Sequence, residues 1–174
     1  MASKKNNSNR EVLVEVLREQ YSKLPQPCNG QVSSNISLLL QKNTFTVCTG
    51  HQLNIFTGPL YFIFKIVTAI NLAKELKSHF PDKNFVPVYW MATEDHDFAE
   101  INHTYISGKK ISWELEAAGA TGRLATKGIE KAVLEYLAVL GISENADELG
   151  KLISSAYTGS KNLADASRQL VNSL

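Results

Sequence analysis

Glu94-Asp95-His96-Asp97, with Glu100, Asn102 and His103 close behind, sets three carboxylates and an imidazole directly after the apolar run Trp90-Met91-Ala92. Charges cannot follow a buried strand at low cost unless they meet partners, water or a ligand. Carboxylates bind ammonium groups, and an imidazole accepts or gives a proton near neutral pH. Like charges held this close push one another's pKa upward, a device of acid–base sites. Glu94, Asp95, His96 and Asp97 are therefore candidates for catalysis, and Asn102 for substrate binding. The plainer reading of these residues is a solvated acidic turn that caps the next helix.

A second group is Thr49-Gly50-His51-Gln52-Leu53-Asn54-Ile55-Phe56-Thr57-Gly58-Pro59-Leu60-Tyr61. It runs from the end of an alternating segment into a long apolar helix. A helix N-terminus carries unpaired N–H groups and partial positive charge, so it attracts anions, phosphates above all. Gly50 and Gly58 allow close backbone approach. Thr49, His51, Gln52 and Thr57 add donors, and an imidazole can neutralise charge developing on a phosphate oxygen. Thr49, Gly50, His51, Gln52, Thr57, Gly58, Pro59 and Tyr61 are the candidate contacts to substrate or nucleotide. The competing reading is a polar loop before a well-capped helix.

His96, His103, Asp95 and Asp97 are legitimate metal-ligand types, but their spacing matches no standard zinc pattern and HExxH is absent. No dedicated protein metal site is expected. Mg²⁺ brought in with a nucleotide and held by one carboxylate suits these residues better. The GxxxxGK[ST] and GxGxxG phosphate loops are both missing.

The elements that must position these groups follow from periodicity. Arg10 to Leu24 reads as an amphipathic helix stopped by Pro25-Gln26-Pro27, and Val32 to Leu40 as a short second helix. Thr44 to Thr49 alternates and is rich in β-formers, so it reads as a strand. Pro59 opens a helix over Leu60 to Phe80, apolar on more than one face and so expected to pack deeply. Phe85 to Ala92 is a near-continuous apolar run of strand length, which predicts a strand covered on both faces. Strand, helix and strand in this order make a βαβ unit with parallel pairing and a right-handed crossover. Ligands in such sheets collect at the carboxyl ends of the strands, where both chemical groups lie. Further on, Tyr105 to Leu115 predicts a short hairpin and Ala117–Gly122 a linker. Helical patterns cover Lys127 to Leu140, Asn145 to Ala156 and Leu163 to Leu174.

The 174 residues are 44% hydrophobic and 20% charged, with a net charge of +1. That balance argues against a nucleic-acid partner, which normally calls for a basic excess. No stretch reaches the roughly 20 apolar residues of a membrane span, and residues 1–9 are polar, unlike a secretory signal. Cys28 and Cys48 are expected to be reduced thiols of a cytoplasmic protein. Cys48, inside an apolar alternating run, reads as a small core residue. Trp113 reads as a packing residue.

Thr49–Leu76 (TGHQLNIFTGPLYFIFKIVTAINLAKEL) and Val86–His103 (VPVYWMATEDHDFAEINH) together resemble the cysteine-adding enzyme of bacillithiol biosynthesis. Weaker similarity extends to Ala156–Leu174. The resemblance implies an α/β, Rossmann-like parallel-sheet core with a helical insertion beginning after about residue 105. The organisation would be a disordered arm (1–9), the first part of the core (10–104), a hairpin and helical insertion (105–155), and a helix leading back to the core (156–174). Members of this family are longer, so the chain corresponds to their amino-terminal portion. The resemblance further implies a ligase that joins cysteine to glucosaminyl malate. A free carboxylate resists an amine, and a helix N-terminus suits phosphate, so ATP or another nucleotide, with Mg²⁺ as companion, is the cofactor these residues suggest. Thr57-Gly58-Pro59-Leu60 would take the place of the histidine-and-glycine nucleotide motif of class I nucleotidyl-transferring folds. Many family members carry glutamine where this chain has His51, which leaves Thr49, Gly50, Gln52 and Gly58 as the firmer positions. Two other readings stand beside this one: a nucleotide- or anion-binding domain without activity of its own, and a metal-dependent hydrolase built on Glu94–Asp97. A parallel sheet short of neighbours exposes apolar surface, which leaves a homodimer open.

Overall fold

The computed structural model describes residues 9–24 and 30–174. The proline breaker at 25–27, Cys28 and nearly all of the 1–9 arm lie outside the described residues. The chain forms two compact units, residues 1–48 with 68–88, and residues 49–67 with 89–174.

In the first unit, α1 (Arg10–Ser22) and α2 (Gly30–Leu38) pack together through Val14, Ile36 and Leu39, with Val86 completing the cluster. Asn9 caps α1 by accepting a hydrogen bond from the Val12 N–H. The Arg10 guanidinium donates to the carbonyls of Leu39 (2.8 Å), Gln41 (3.1 Å) and Thr44 (3.2 Å). It thereby ties the start of α1 to the turn after α2 and to the first residue of the following strand.

Two strands, β1 (Thr44–His51) and β2 (Asn84–Met91), are joined by α3 (Tyr61–His79). The Asn84 N–H bonds the Asn43 carbonyl at the strand starts, and the Ala92 N–H bonds the His51 carbonyl at their ends. Equal offsets at both ends mean a parallel pair, as the βαβ pattern predicts. At the far end of α3, the Lys77 ammonium donates to the carbonyls of Pro81 and Lys83 and closes the return into β2.

The second unit holds the larger core. A hairpin of β3 (His103–Ile106) and β4 (Lys109–Ser112) follows the short α4 (Phe98–Ile101), with Thr104 opposite Ile111. Three helices, α5 (Glu130–Leu140), α6 (Glu144–Gly159) and α7 (Leu163–Ser173), pack in sequence. Trp113, Ile129, Ile153, Tyr157, Leu163 and Leu170 are all at most 1% exposed and form its centre. Ser143 and Asn162 cap α6 and α7 by accepting from the N–H groups of Ala146 and Asp165.

Four expectations need correction. Cys48 is exposed, because alternation along β1 turns it outward with Thr46 and Gly50. β2 is not covered throughout: Val86 is buried, yet Trp90, on the same face, is 62% exposed. The apolar helix α3 buries one stripe, Phe62, Ala69 and Ala73, and leaves Phe64 and Val67 in solvent. In both elements, the apolar surface exceeds what the described elements cover. Finally, the small-residue stretch around 117–122 is no free linker, since Thr121 and Gly122 are buried.

Candidate functional site

The loop that leaves β1 is built around three consecutive left-handed residues. Phe56, Thr57 and Gly58 have φ of 54°, 70° and 65°. A β-branched threonine there is strained, and each such non-glycine residue costs on the order of 1–3 kcal/mol unless its surroundings enforce it. They do. The Phe56 ring is buried against Tyr136 and Tyr157, at centroid distances of 4.7 and 4.9 Å. The Phe56 N–H donates to the Tyr157 hydroxyl at 2.7 Å. Burial pushes the Tyr157 phenol well above the ordinary tyrosine range, so it stays neutral; its bond from the Phe56 N–H, and next the Ser167 hydroxyl, counter the shift only in part. Gly58 is required by the turn itself. A Cβ there would stand 2.6 Å from the Asn54 Cβ, so the missing side chain makes room for Asn54.

The loop that leaves β2 meets the first through Gln52. Its Nε2 donates to Asp95 Oδ2 at 3.0 Å and to Glu100 Oε2 at 2.7 Å, while Asn54 Nδ2 donates to the Glu100 carbonyl at 3.2 Å. Asp95 Oδ1 accepts from the Asp97 N–H at 3.0 Å. These bonds hold the Asp95 carboxyl below the ordinary carboxylate range, the Asp97 N–H first and Gln52 next. This overturns the expectation that crowding raises acidic pKa values here. At Asp95 the donors outweigh the desolvation that would raise it.

Gly122 and Thr121 fix the acidic loop from its other side. The Thr121 N–H donates to the Asp95 carbonyl at 2.7 Å, and the Gly122 N–H to the Thr93 carbonyl at 3.0 Å. A Cβ on Gly122 would lie 2.6 Å from the Thr93 Cβ. The contact is possible only for glycine.

His51 lies at the end of β1, stacked on Phe62 and edge-on to Tyr61, both with centroids 5.2 Å away. Partial desolvation, then the charge of Lys65, lower its pKa, so the ring is neutral at pH 7. Its Nε2 is buried without a hydrogen-bond partner. The Lys65 ammonium bonds the Gly50 carbonyl. Phe62 and Ile63 direct their N–H groups to the Pro59 and Leu60 carbonyls, which leaves the Leu60 and Tyr61 N–H groups without a protein acceptor among the described residues.

The structure thus brings together Gln52, Asp95, Asp97 and Glu100, and sets His51 and Tyr61 beside Lys65. It does not bring in every candidate. Glu94 and His96 are exposed, and Thr49 makes no side-chain hydrogen bond among the described residues. Asn102 faces the hairpin, where its carbonyl accepts from the Trp113 N–H and its Oδ1 meets His103 Nδ1 at 3.0 Å. Lys65, Tyr157, Thr121 and Gly122 escaped the sequence reading. Only Lys65 gave a signal, a lone cation in an otherwise apolar stretch. Among the described residues no cluster of three or more His, Cys, Asp or Glu side chains is arranged to hold a metal ion, and no helix is long and apolar enough to cross a membrane.

A parallel strand–helix–strand unit whose two carboxyl-end loops meet defines a Rossmann-like α/β domain. Comparison with known families agrees: the family model for the N-terminal Rossmann-like domain of the bacillithiol biosynthesis protein BshC matches residues 1–174. The chain belongs to the BshC family. It is 52% identical over 170 residues to a protein of Flavobacterium psychrophilum named "Putative cysteine ligase BshC", covering 98% of this chain and 32% of that protein. A protein of the same name from Flavobacterium johnsoniae is 52% identical over 173 residues, covering 99% and 32%. A more distant one, from Chlorobaculum tepidum, is 37% identical over 161 residues, covering 87% and 28%. The chain spans about a third of the length of these relatives.

Proposed function

We propose that this domain supplies part of the active site of a cytoplasmic cysteine ligase, which joins the carboxyl of cysteine to the amine of glucosaminyl malate. The observation that carries the reading is the Gln52 amide bound to both Asp95 and Glu100, because it makes one site of the two loops. Families with this name and fold support it.

A free carboxylate resists attack by an amine, so amide formation needs its oxygen activated as a leaving group. A nucleotide supplies that activation when bound. The fold offers a place for its phosphates: the unpaired N–H groups of Leu60 and Tyr61, the Thr57 hydroxyl and the nearby Lys65 charge suit an anion. Mg²⁺ would arrive with the nucleotide, held by one carboxylate. Asp95, kept ionised by its donors, is a poor base and a good anchor for an ammonium group. Glu100, on the same amide, adds a second carboxylate. Asp97, in the same loop, would take the proton that the attacking amine loses as the C–N bond forms and the activated oxygen departs. A neutral His51 presents an imidazole at the phosphate end without adding charge.

The test is turnover in the full-length enzyme. Asp95→Ala is expected to lower the ligation rate by roughly two to four powers of ten, and near-normal turnover would refute the assignment. An anion-binding domain without activity of its own is the second reading, and the same anion site favours it. Nucleotide binding to the isolated domain, measured by calorimetry without product formation, is the expected result if the chemistry needs the rest of the polypeptide.

A further inference from the structure

We propose that the first two turns of α3 seat a segment of the same polypeptide, from the part of the full-length family protein that follows this domain. Leu60, at the turn into the helix, is 68% exposed and Phe64 62%, with Val67 and Tyr61 also in solvent. Positions 60, 64 and 67 share one helix face. The stripe that the helix buries, Phe62, Ala69 and Ala73, lies on the other side. The open apolar patch is local. Further along the same face, Asn71 and Glu75 are exposed and polar, as a helix that faces water requires. Uncovered apolar surface is thus confined to the end of α3 that borders the site, where Tyr61 meets His51 edge-on.

Three observations point to the occupant. The chain spans about a third of its relatives, and the matching family model is that of an N-terminal domain, so most of the full-length polypeptide follows it. The sheet also lacks cover. Among the described residues β1 and β2 are its two strands, whereas parallel sheets occur almost only with both faces packed. The Tyr89 ring packs on Phe62 of α3, so Trp90, next in the strand, points to the opposite face, and it too is open. Uncovered apolar groups therefore stand on both sides of the sheet at this end. Finally, a second copy finds little to hold. Four side chains offer a few hundred Å², against roughly 800 Å² per partner in a stable interface. A segment tethered by its own chain needs no such area, because its effective concentration is high.

In the full-length protein, thermal melting and molecular mass by light scattering would be measured for wild type, Phe64→Lys, Val67→Asn and Asn71→Lys. Phe64→Lys sets a charge in the contact and is expected to lower the melting temperature by about 4 °C or more, with the mass unchanged. Val67→Asn is milder, with an expected fall of about 2 °C or more, and it carries the test should Phe64→Lys not fold. Asn71→Lys, on the same face beyond the patch, should melt within about 1 °C of wild type. Unchanged melting in Phe64→Lys and Val67→Asn leaves the patch in water and overturns the proposal. So does an equal fall in Asn71→Lys, which makes the loss an effect of charge on the helix. A fall that accompanies dissociation of dimers to monomers assigns the patch to a second copy and overturns it as well. The readout is stability, so the result stands whether or not the protein ligates cysteine.

Discussion

Gln52 Nε2 stands 3.0 Å from Asp95 Oδ2, so a side chain at the end of one parallel strand fixes a carboxylate at the end of its neighbour. Gln52→Leu keeps the shape and removes both donors. The Asp95 carboxyl is then expected to titrate closer to its ordinary value of 3.8. The sign follows from linkage: a depressed carboxyl contributes stability above its unfolded pKa and loses it as pH falls through the folded one. NMR titration of the Asp95 carboxyl should show the upward shift. Ligation by the full-length enzyme is expected to fall about a hundredfold, as for a misplaced catalytic group.

His51 gives a pH dependence of its own. Its pKa is lowered from 6.5, so the unfolded chain takes up the proton more readily than the folded one. Stability is therefore complete above pH 6.5 and declines as pH drops from there toward the folded pKa. His51→Gln, which cannot titrate, should flatten that decline. Urea midpoints measured between pH 5 and 8 check it, and equal slopes for both proteins would count against a desolvated ring.

The βαβ unit was legible because its signals are local: alternation at Thr44–Thr49, proline at position 59, an apolar run at Phe85–Ala92. So was the placement of both chemical groups at one sheet end. The contacts that hold them were not. Gln52 meets Asp95 and Glu100 across more than 40 residues, and no periodicity encodes such a pairing. Gly122 looked like linker glycine because its need for close approach comes from Thr93, distant in sequence. Cys48 and Trp90 misled for another reason. An apolar run records that a face is to be covered, and the described elements do not cover all of it.

The strained turn depends on Tyr157. Tyr157→Phe deletes the acceptor for the Phe56 N–H inside the core. An unpaired buried donor costs about 1–3 kcal/mol, and a drop of that size in unfolding free energy is expected from urea titration. A change under about 0.5 kcal/mol would mean that the loop is held by ring packing alone.

Gly122 offers a sharper steric case. Gly122→Ala sets a methyl group 2.6 Å from the Thr93 Cβ and 2.9 Å from its carbonyl oxygen, so the acidic loop must move. Overpacking of this kind costs about 1–3 kcal/mol. Thermal denaturation is expected to show the loss, and the Thr121 amide should lose hydrogen-exchange protection as its bond to Asp95 opens. Gly119→Ala, three residues away in open space but at positive φ, serves as the control: it should strain the backbone without exposing that amide.

The central claim is that the two loops act as one site through Gln52. A double-mutant cycle on the full-length enzyme tests it most directly, with kcat/KM for cysteine measured for Gln52→Leu, Asp95→Asn and the pair. If Gln52 acts by holding Asp95, the double variant is expected to lose little more than the worse single one. Losses that multiply independently would contradict the account and separate the two loops into unrelated parts.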